Sequence, residues 1–481
     1  MRPLDTGAPV DEAMARPQLT RVLGLREGIS IQMGMIIGSA IFIVPATIAG
    51  RLRATGPIMF VWIAGGLLVL FGALSLAELS SLLPETGGSY VYIKRSFGRV
   101  WAFMFSWNHF FINTAGTVAA ISVAFATYLG YFLPALSPGR RLFASSLSIF
   151  GRPLEFSFGW VQIAAISTIA LLTWVNVRGV KLSGWVMNVF TLAKVAALAS
   201  LVLGAFLSHK GTASNLLPWW PKMGTGELTA GFGLCMISVL WAYDGWTTIT
   251  LTAGEFRNPR RNIPLALLFG TVAVIVLYGA ANLGYAYVLP LREMAGSPRV
   301  AADVARIVFG PAGASLITAG ILCSMLGTLN GSILGAPRCL YAAAADGTFS
   351  RSFARVHPRF RTPATAIVAL GVWGAILTVS GSYDQIISYV VFGSWGFYTL
   401  AALSVIVLRR KMPDSPRPYK ALGYPYATLL FAGVAAWFLF NTLVHDTRNA
   451  AIGIFLLLLS LPAYFYWTRK AKGGAPSPGG Q

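Results

Sequence analysis

GMIIGSAIFIVP at residues 34–45 and WAYDGWTT at residues 241–248 are the two stretches that decide how this chain folds. Each lies in the middle of a long apolar run, and each places glycine where a membrane-crossing helix needs continuous hydrogen bonding. Gly34, Gly38 and Ser39 interrupt the first run, and Gly245, beside the charged Asp244, interrupts the second. Backbone N–H and C=O groups freed in hydrocarbon are costly unless something satisfies them, so such breaks persist where a cavity or a bound molecule supplies partners. Gly34 and Gly38 also match the small-xxx-small spacing of close helix packing. Packing alone accounts for one such helix, whereas two interrupted helices at matching places point to a binding site.

Working outward from these breaks, the rest of the chain has the composition of a membrane protein. Of its 481 residues, 56% are hydrophobic and 11% charged, against about 25% charged in soluble domains. A span needs roughly 20 apolar residues. Twelve runs qualify, near 28–50, 57–83, 101–133, 160–178, 184–208, 228–254, 263–289, 313–345, 363–381, 385–409, 423–445 and 449–468. The expectation is an all-α polytopic membrane protein with 12 transmembrane helices, with no cleavable signal because the first run continues as a full span.

The runs also repeat. In helices 1–5 and 6–10 the first member is interrupted and the third is unusually long. Five helices per unit is an odd number, so the second unit enters the membrane from the opposite side. This predicts a five-plus-five inverted repeat with discontinuous helices 1 and 6. The units are an N-terminal tail 1–27, a first repeat 28–208, a second repeat 228–409, two further helices 423–468 and a flexible C-terminal tail 469–481. The longest outward loop, 134–159, carries no sign of a domain.

The net charge of +21 reads as topology rather than as nucleic-acid binding. Counted from a cytoplasmic N-terminus, 24 of the 37 Lys and Arg fall on that side and 11 on the other, with Lys194 and Arg338 inside helices. The positive-inside rule then places both termini in the cytoplasm of a cell (inner) membrane. Cys235, Cys323 and Cys339 lie inside expected helices, so no disulfide is implied.

Half-helix ends supply what a zwitterion needs. A helix restarting after a break offers free N–H groups and a positive dipole end to a carboxylate. A helix stopping at a break offers carbonyls to an ammonium. The donors are the amides near Gly38, Ser39, Ala40 and Ile41. The acceptors are carbonyls around Ile36 and around Trp241, Ala242, Tyr243, Asp244 and Gly245. Lys194, in NVFTLAKVAALASLV at 188–202, is about ten residues from either helix end, roughly 15 Å, too far for easy snorkelling. Its ammonium is either a fixed strut on unwound carbonyls or a proton carrier. Asp244 either caps the broken helix or serves as counter-ion to a cationic group. Glu78 and Glu255 read as loop anchors among arginines, and His109 as a packing residue. No metal-ligand spacing and no phosphate-binding glycine loop occurs. No cofactor or metal is therefore expected, and an enzyme or an ATP-driven pump is disfavoured.

These motifs resemble the amino acid–polyamine–organocation (APC) superfamily, in particular bacterial relatives of the L-type amino acid transporters. The resemblance rests on GMIIGSAIFIVP, on AELSSLLPETGGSYVYIKRSFG at 77–98, on WAYDGWTTITLTAGEFRNPRRNIPLAL at 241–267 and on VVFGSWGFYTL at 390–400, in that order. It implies a LeuT-like fold with alternating access to a central site. Ile36, Ser39, Ala40, Trp241, Ala242 and Asp244 would contact the substrate backbone, with Trp241 as an aromatic gate. Lys194 falls where the family has a lysine in place of a sodium ion. Two departures stand out. Ala40 replaces the second glycine of the usual Gly-Ser-Gly, and 134–159 lacks the cysteine that joins eukaryotic relatives to a heavy chain, so no disulfide-linked partner is expected. The expected function is secondary transport of amino acids, by antiport or proton symport, with neutral L-amino acids preferred. The alternatives are a polyamine or cationic amino acid carrier and a non-transporting sensor.

Overall fold

The computed structural model describes residues 23–85, 87–136, 141–149, 152–178, 183–355, 357, 359–360, 362–379 and 383–473. Most of the N-terminal tail (1–22) and the end of the C-terminal tail (474–481) lie outside the described residues, as do Lys181 and Arg361.

The first run splits into α1 (Leu25–Ile36) and α2 (Ala40–Leu52), bent by 44° at the Gly38-Ser39 break. Next come α3 (Thr55–Leu82) and the short α4 (Ser89–Phe97). Gly98, at φ +98, separates α4 from the long third span. That span runs Arg99–Leu129. It consists of α5 (Arg99–Trp107), a π-helical turn at Asn108–Thr114 and α6 (Ala115–Leu129). The loop that follows corrects the all-α expectation, because β1 (Arg141–Ile149) and β2 (Arg152–Gly159) form an antiparallel hairpin. The two strands satisfy one another's backbone groups, and the alternation in β2, with Leu154, Phe156 and Phe158 flanking Glu155 and Ser157, is a period-2 pattern obscured by the search for long apolar runs.

The next helices are α7 (Trp160–Arg178), α8 (Ser183–Leu207) and α9 (Thr225–Ala242). The sixth run breaks after Ala242 and resumes as a 3-10 helix, Thr248–Glu255, rather than as α-helix. Then follow α10 (Pro259–Val288), α11 (Leu291–Gly296), and α12 (Val300–Ala345), kinked at Gly310 with φ +73. The chain ends with α13 (Ala364–Val379), α14 (Tyr383–Lys411), α15 (Tyr426–His445), α16 (Thr447–Leu458) and α17 (Ser460–Gly473). Among the described residues, nine helices are long and apolar enough to cross a membrane, or ten with the bent α1–α2 pair. The chain is a mostly helical, multi-pass membrane protein.

Two clusters hold the breaks in place. Trp62 of α3, Tyr243 at the second break and Tyr278 of α10 form a buried aromatic triangle. Trp62 lies 5.5 Å from Tyr278 at 85°, and Tyr243 lies 5.1 Å from Tyr278. Edge-on and tilted pairs of this kind contribute about 0.5–1.5 kcal/mol beyond area burial. At one end of the bundle, Leu23 pairs with Phe256: the Leu23 N–H reaches Glu255 O at 3.0 Å, and the Arg257 N–H reaches Leu23 O at 2.7 Å. The start of α1 and the end of the 3-10 helix are thereby tied as one unit.

Near the same end, Glu78 anchors the connection after α14. Its carboxylate accepts from Arg409 Nε at 2.8 Å, Arg409 Nη2 at 2.6 Å and the Ala421 amide at 2.7 Å. Arg409 also lies 3.5 Å over the Tyr424 ring. Tyr419, in this connection, has its phenol pKa pushed up, first by burial and less by the Glu78 charge. The anchoring expected of Glu78 is thus a charge-assisted network.

Candidate substrate site at the paired helix breaks

Both breaks lie side by side. Gly245 has φ +93, and a Cβ built there would stand 2.5 Å from Met35 O, so only glycine permits this approach. α1 ends with the Ile37 N–H bonded to Met33 O at 2.8 Å, and the first bond of α2 is from the Phe42 N–H to Ser39 O at 3.1 Å. Amides between these bonds precede the ladder of α2 and present the positive end of its dipole. On the other side, α9 closes with Tyr243 N–H to Val239 O and Asp244 N–H to Trp241 O, both 3.0 Å.

The Tyr278 hydroxyl stands between the two breaks, 3.0 Å from Ile36 O and 3.1 Å from Ala242 O. One O–H can donate fully to only one of them, so the carbonyl pair keeps acceptor capacity. Gln32 of α1 reaches across to Trp246 O and Thr271 Oγ1, each at 3.2 Å. Ile36, Ser39, Ala40, Ile41, Trp241, Ala242 and Tyr243 are buried, whereas Gly38, Asp244 and Gly245 retain partial exposure. A Cβ at Gly38 would meet only Ile36 O, at 3.9 Å. The open side of the site is therefore at Gly38, next to the unladdered amides.

Lys194 of α8 is buried, and its ammonium donates to Gly34 O in the last turn of α1. Thr328 Oγ1 of α12 is 3.4 Å away. Lys194 thus stands behind the first break. Asp244 points elsewhere. Its Oδ2 accepts from Asn113 Nδ2 at 3.0 Å and its Oδ1 from the Tyr398 hydroxyl at 2.7 Å. Asn113 also reaches Ser394 Oγ at 3.1 Å. The two intramembrane charges are each held by their own partners, with no ion pair joining them among the described residues.

Several of these groups escaped the sequence reading. Asn113 belongs to the π turn of the third span, and the extra residue in that turn rotates its amide towards Asp244. An asparagine in an apolar span was the available signal. Ser394 and Tyr398 lie inside the 390–400 motif but were not singled out. Tyr278 and Gln32 gave no local sign, because only the packing of α10 on α1 brings them to the breaks. The pairing of both breaks is what the sequence did reach.

Comparison with known proteins identifies the family. A family model described as amino acid permease matches residues 23–461. The b(0,+)-type amino acid transporter 1 of Oryctolagus cuniculus is 32% identical over 84% of this chain and 79% of its own length. The serine/threonine exchanger SteT of Bacillus subtilis is 27% identical over 94% of this chain and 98% of its own length. The large neutral amino acids transporter small subunit 2 of Mus musculus is 30% identical, covering 94% and 83% respectively. All three relatives are named as transporters or exchangers rather than enzymes. This chain belongs to the amino acid permease family.

Proposed function

We propose that the protein is a secondary amino acid transporter that works by alternating access, as an exchanger or proton-coupled symporter preferring neutral L-amino acids. One observation carries the reading: two broken helices meet, with spare carbonyls around Tyr278 on one side and unladdered amides beside Gly38 on the other. A zwitterion complements both ends. The relatives' names, which specify amino acids and an exchanger, support the same class of cargo.

The proposed architecture has twelve spans. Beyond the ten already described, the shorter apolar helices Leu192–Leu207 and Ala364–Val379 supply two more. The proposed units are 28–208 and 228–409, related as a LeuT-like inverted repeat, followed by 423–468. The excess of basic residues on one side supports an inner-membrane orientation with both termini cytoplasmic. Lys194 acts as a strut: its bond to Gly34 O stabilises the end of α1 where sodium would otherwise be needed. The lack of cysteine in 134–159 supports function without a disulfide-linked partner.

A second reading, transport of cationic amino acids or amines, draws on Asp244. Asp244 as a residue is half-buried, and its carboxylate is oriented by Asn113 and Tyr398, as a counter-ion for a substrate amine would be. Counterflow in proteoliposomes decides between the readings. Preloaded neutral amino acids should accelerate uptake of labelled neutral amino acids, with little effect of polyamines. Acceleration by amines alone would favour the second reading, and acceleration by neither class would overturn both.

A further inference from the structure

We propose that a cavity between the α2–α3 connection and the segment preceding α9 holds the headgroup of a zwitterionic phospholipid with a primary amine, of the phosphatidylethanolamine class. The site lies apart from the helix breaks and does not depend on what the protein transports.

The cavity has a volume of about 300 Å³ and is lined by Arg53, Pro218, Pro221, Lys222, Met223 and Glu227, the small end of the range for ligand pockets. Backbone bonds bring its walls together. The Thr55 amide donates to Pro218 O at 3.2 Å and the Gly56 amide to Trp219 O at 2.9 Å, so the segment before α9 is pinned to the first turn of α3. Glu227, in the first turn of α9, completes the wall. α3 starts beside the cavity and carries Glu78 near its other end, so the cavity stands at one surface of the membrane.

The charges around this cavity are of both signs and are not spent on one another. Among the described residues, the side chains of Lys222 and Glu227 form no hydrogen bond or ion pair, and Arg53 donates only from Nε, to Gly50 O at 3.3 Å. Two cations and one carboxylate complement a phosphodiester that carries an ammonium group. The guanidinium and the Lys222 ammonium suit the phosphate oxygens, and the carboxylate suits the primary amine. That carboxylate also repels a bare phosphate or an anionic lipid, and a choline headgroup has no N–H to donate to it.

The surroundings select a lipid over a water-soluble zwitterion. Leu217, Trp219 and Trp220, which flank Pro218 and Pro221 in the chain, are all exposed, and tryptophan favours the headgroup level of a bilayer. Phe60, Ile63 and Leu67 recur on α3 at helical spacing, starting one turn after Gly56, and are likewise exposed. Phe60 pairs with Phe232 of α9, their ring centroids 5.4 Å apart. An apolar seam along α3 and α9 thus leads from the cavity towards the hydrocarbon, where the acyl chains of a bound lipid would lie.

Native mass spectrometry of the full-length protein in detergent tests the site. Phosphatidylethanolamine, phosphatidylcholine and phosphatidylglycerol with identical chains are added at equal concentration. Wild type should retain one phosphatidylethanolamine in preference to the other two. Glu227→Gln should lower that retention about tenfold, to the phosphatidylcholine level, and Lys222→Gln should lower retention of both zwitterionic lipids about threefold. Both positions are exposed, so neither change disturbs the core. Glycerophosphoethanolamine, the same headgroup without chains, should fail to displace the bound lipid at equal concentration. A wild type with no preference for phosphatidylethanolamine, or unchanged retention in either variant, would overturn the site. Displacement by glycerophosphoethanolamine would overturn its assignment to a lipid. Transport activity does not enter the readout, so either failure leaves the transport reading as it stands.

Discussion

At the scale of single residues, the two break glycines have different jobs, and substitution separates them. Gly245→Ala combines a left-handed backbone, about 1–2 kcal/mol for a residue with a Cβ, with a contact of 2.5 Å to Met35 O. It should lower the melting temperature in detergent and abolish uptake. Gly38→Ala adds its methyl into open space, so it should fold with wild-type stability yet bind substrate less well. Equal melting temperatures for the two variants would rule out this division of labour. Asp244→Asn, with the carboxylate lost but the shape kept, should spare neutral substrates and weaken only cationic ones, read by competition across an amino acid panel. Lys194→Ala should abolish exchange by freeing the Gly34 carbonyl. Full activity with unaltered dependence on pH would remove Lys194 from the mechanism.

Elements hold these residues in position, and the hydrogen bonds between elements account for most of what is specific here. The π turn at Asn108–Thr114 aims Asn113 at Asp244, and α10 carries Tyr278 to both breaks. At one end, Glu78 fastens the connection from α14 to α15 through Arg409 and the Ala421 amide. Glu78→Gln removes the charge from a buried carboxylate and loosens that connection by about 1–3 kcal/mol. Trypsin should then cut faster at Lys411, Arg417 and Lys420, monitored by gel. A cleavage rate equal to wild type would show that the connection is held by other contacts.

Across the whole molecule, the proposed orientation sets the termini and the β-hairpin on opposite faces. A cysteine introduced at the exposed Leu142 should react with a membrane-impermeant maleimide applied to intact cells. A C-terminal tag should become accessible only after permeabilisation. Reversed accessibility would invert the topology.

The sequence by itself determined that the chain crosses a membrane repeatedly and that Gly38-Ser39 and Asp244-Gly245 break their helices, because hydrophobic run length and glycine placement are local properties of the chain. It also carried the family, through motifs spread along the chain in order. Only the tertiary structure decided that Tyr278 sits between the breaks, that Asp244 belongs to Asn113 and Tyr398, and that Lys194 holds the end of α1. These partners are separated by 36 to 242 residues. Such pairings come from how helices pack and rotate against one another, and no local pattern encodes them. The hairpin at 141–159 was missed for a different reason: its two-residue period is invisible to a search for helical runs. The two breaks were thus legible from local chemistry, while the side chains that pack around them emerged only once the helices were brought together.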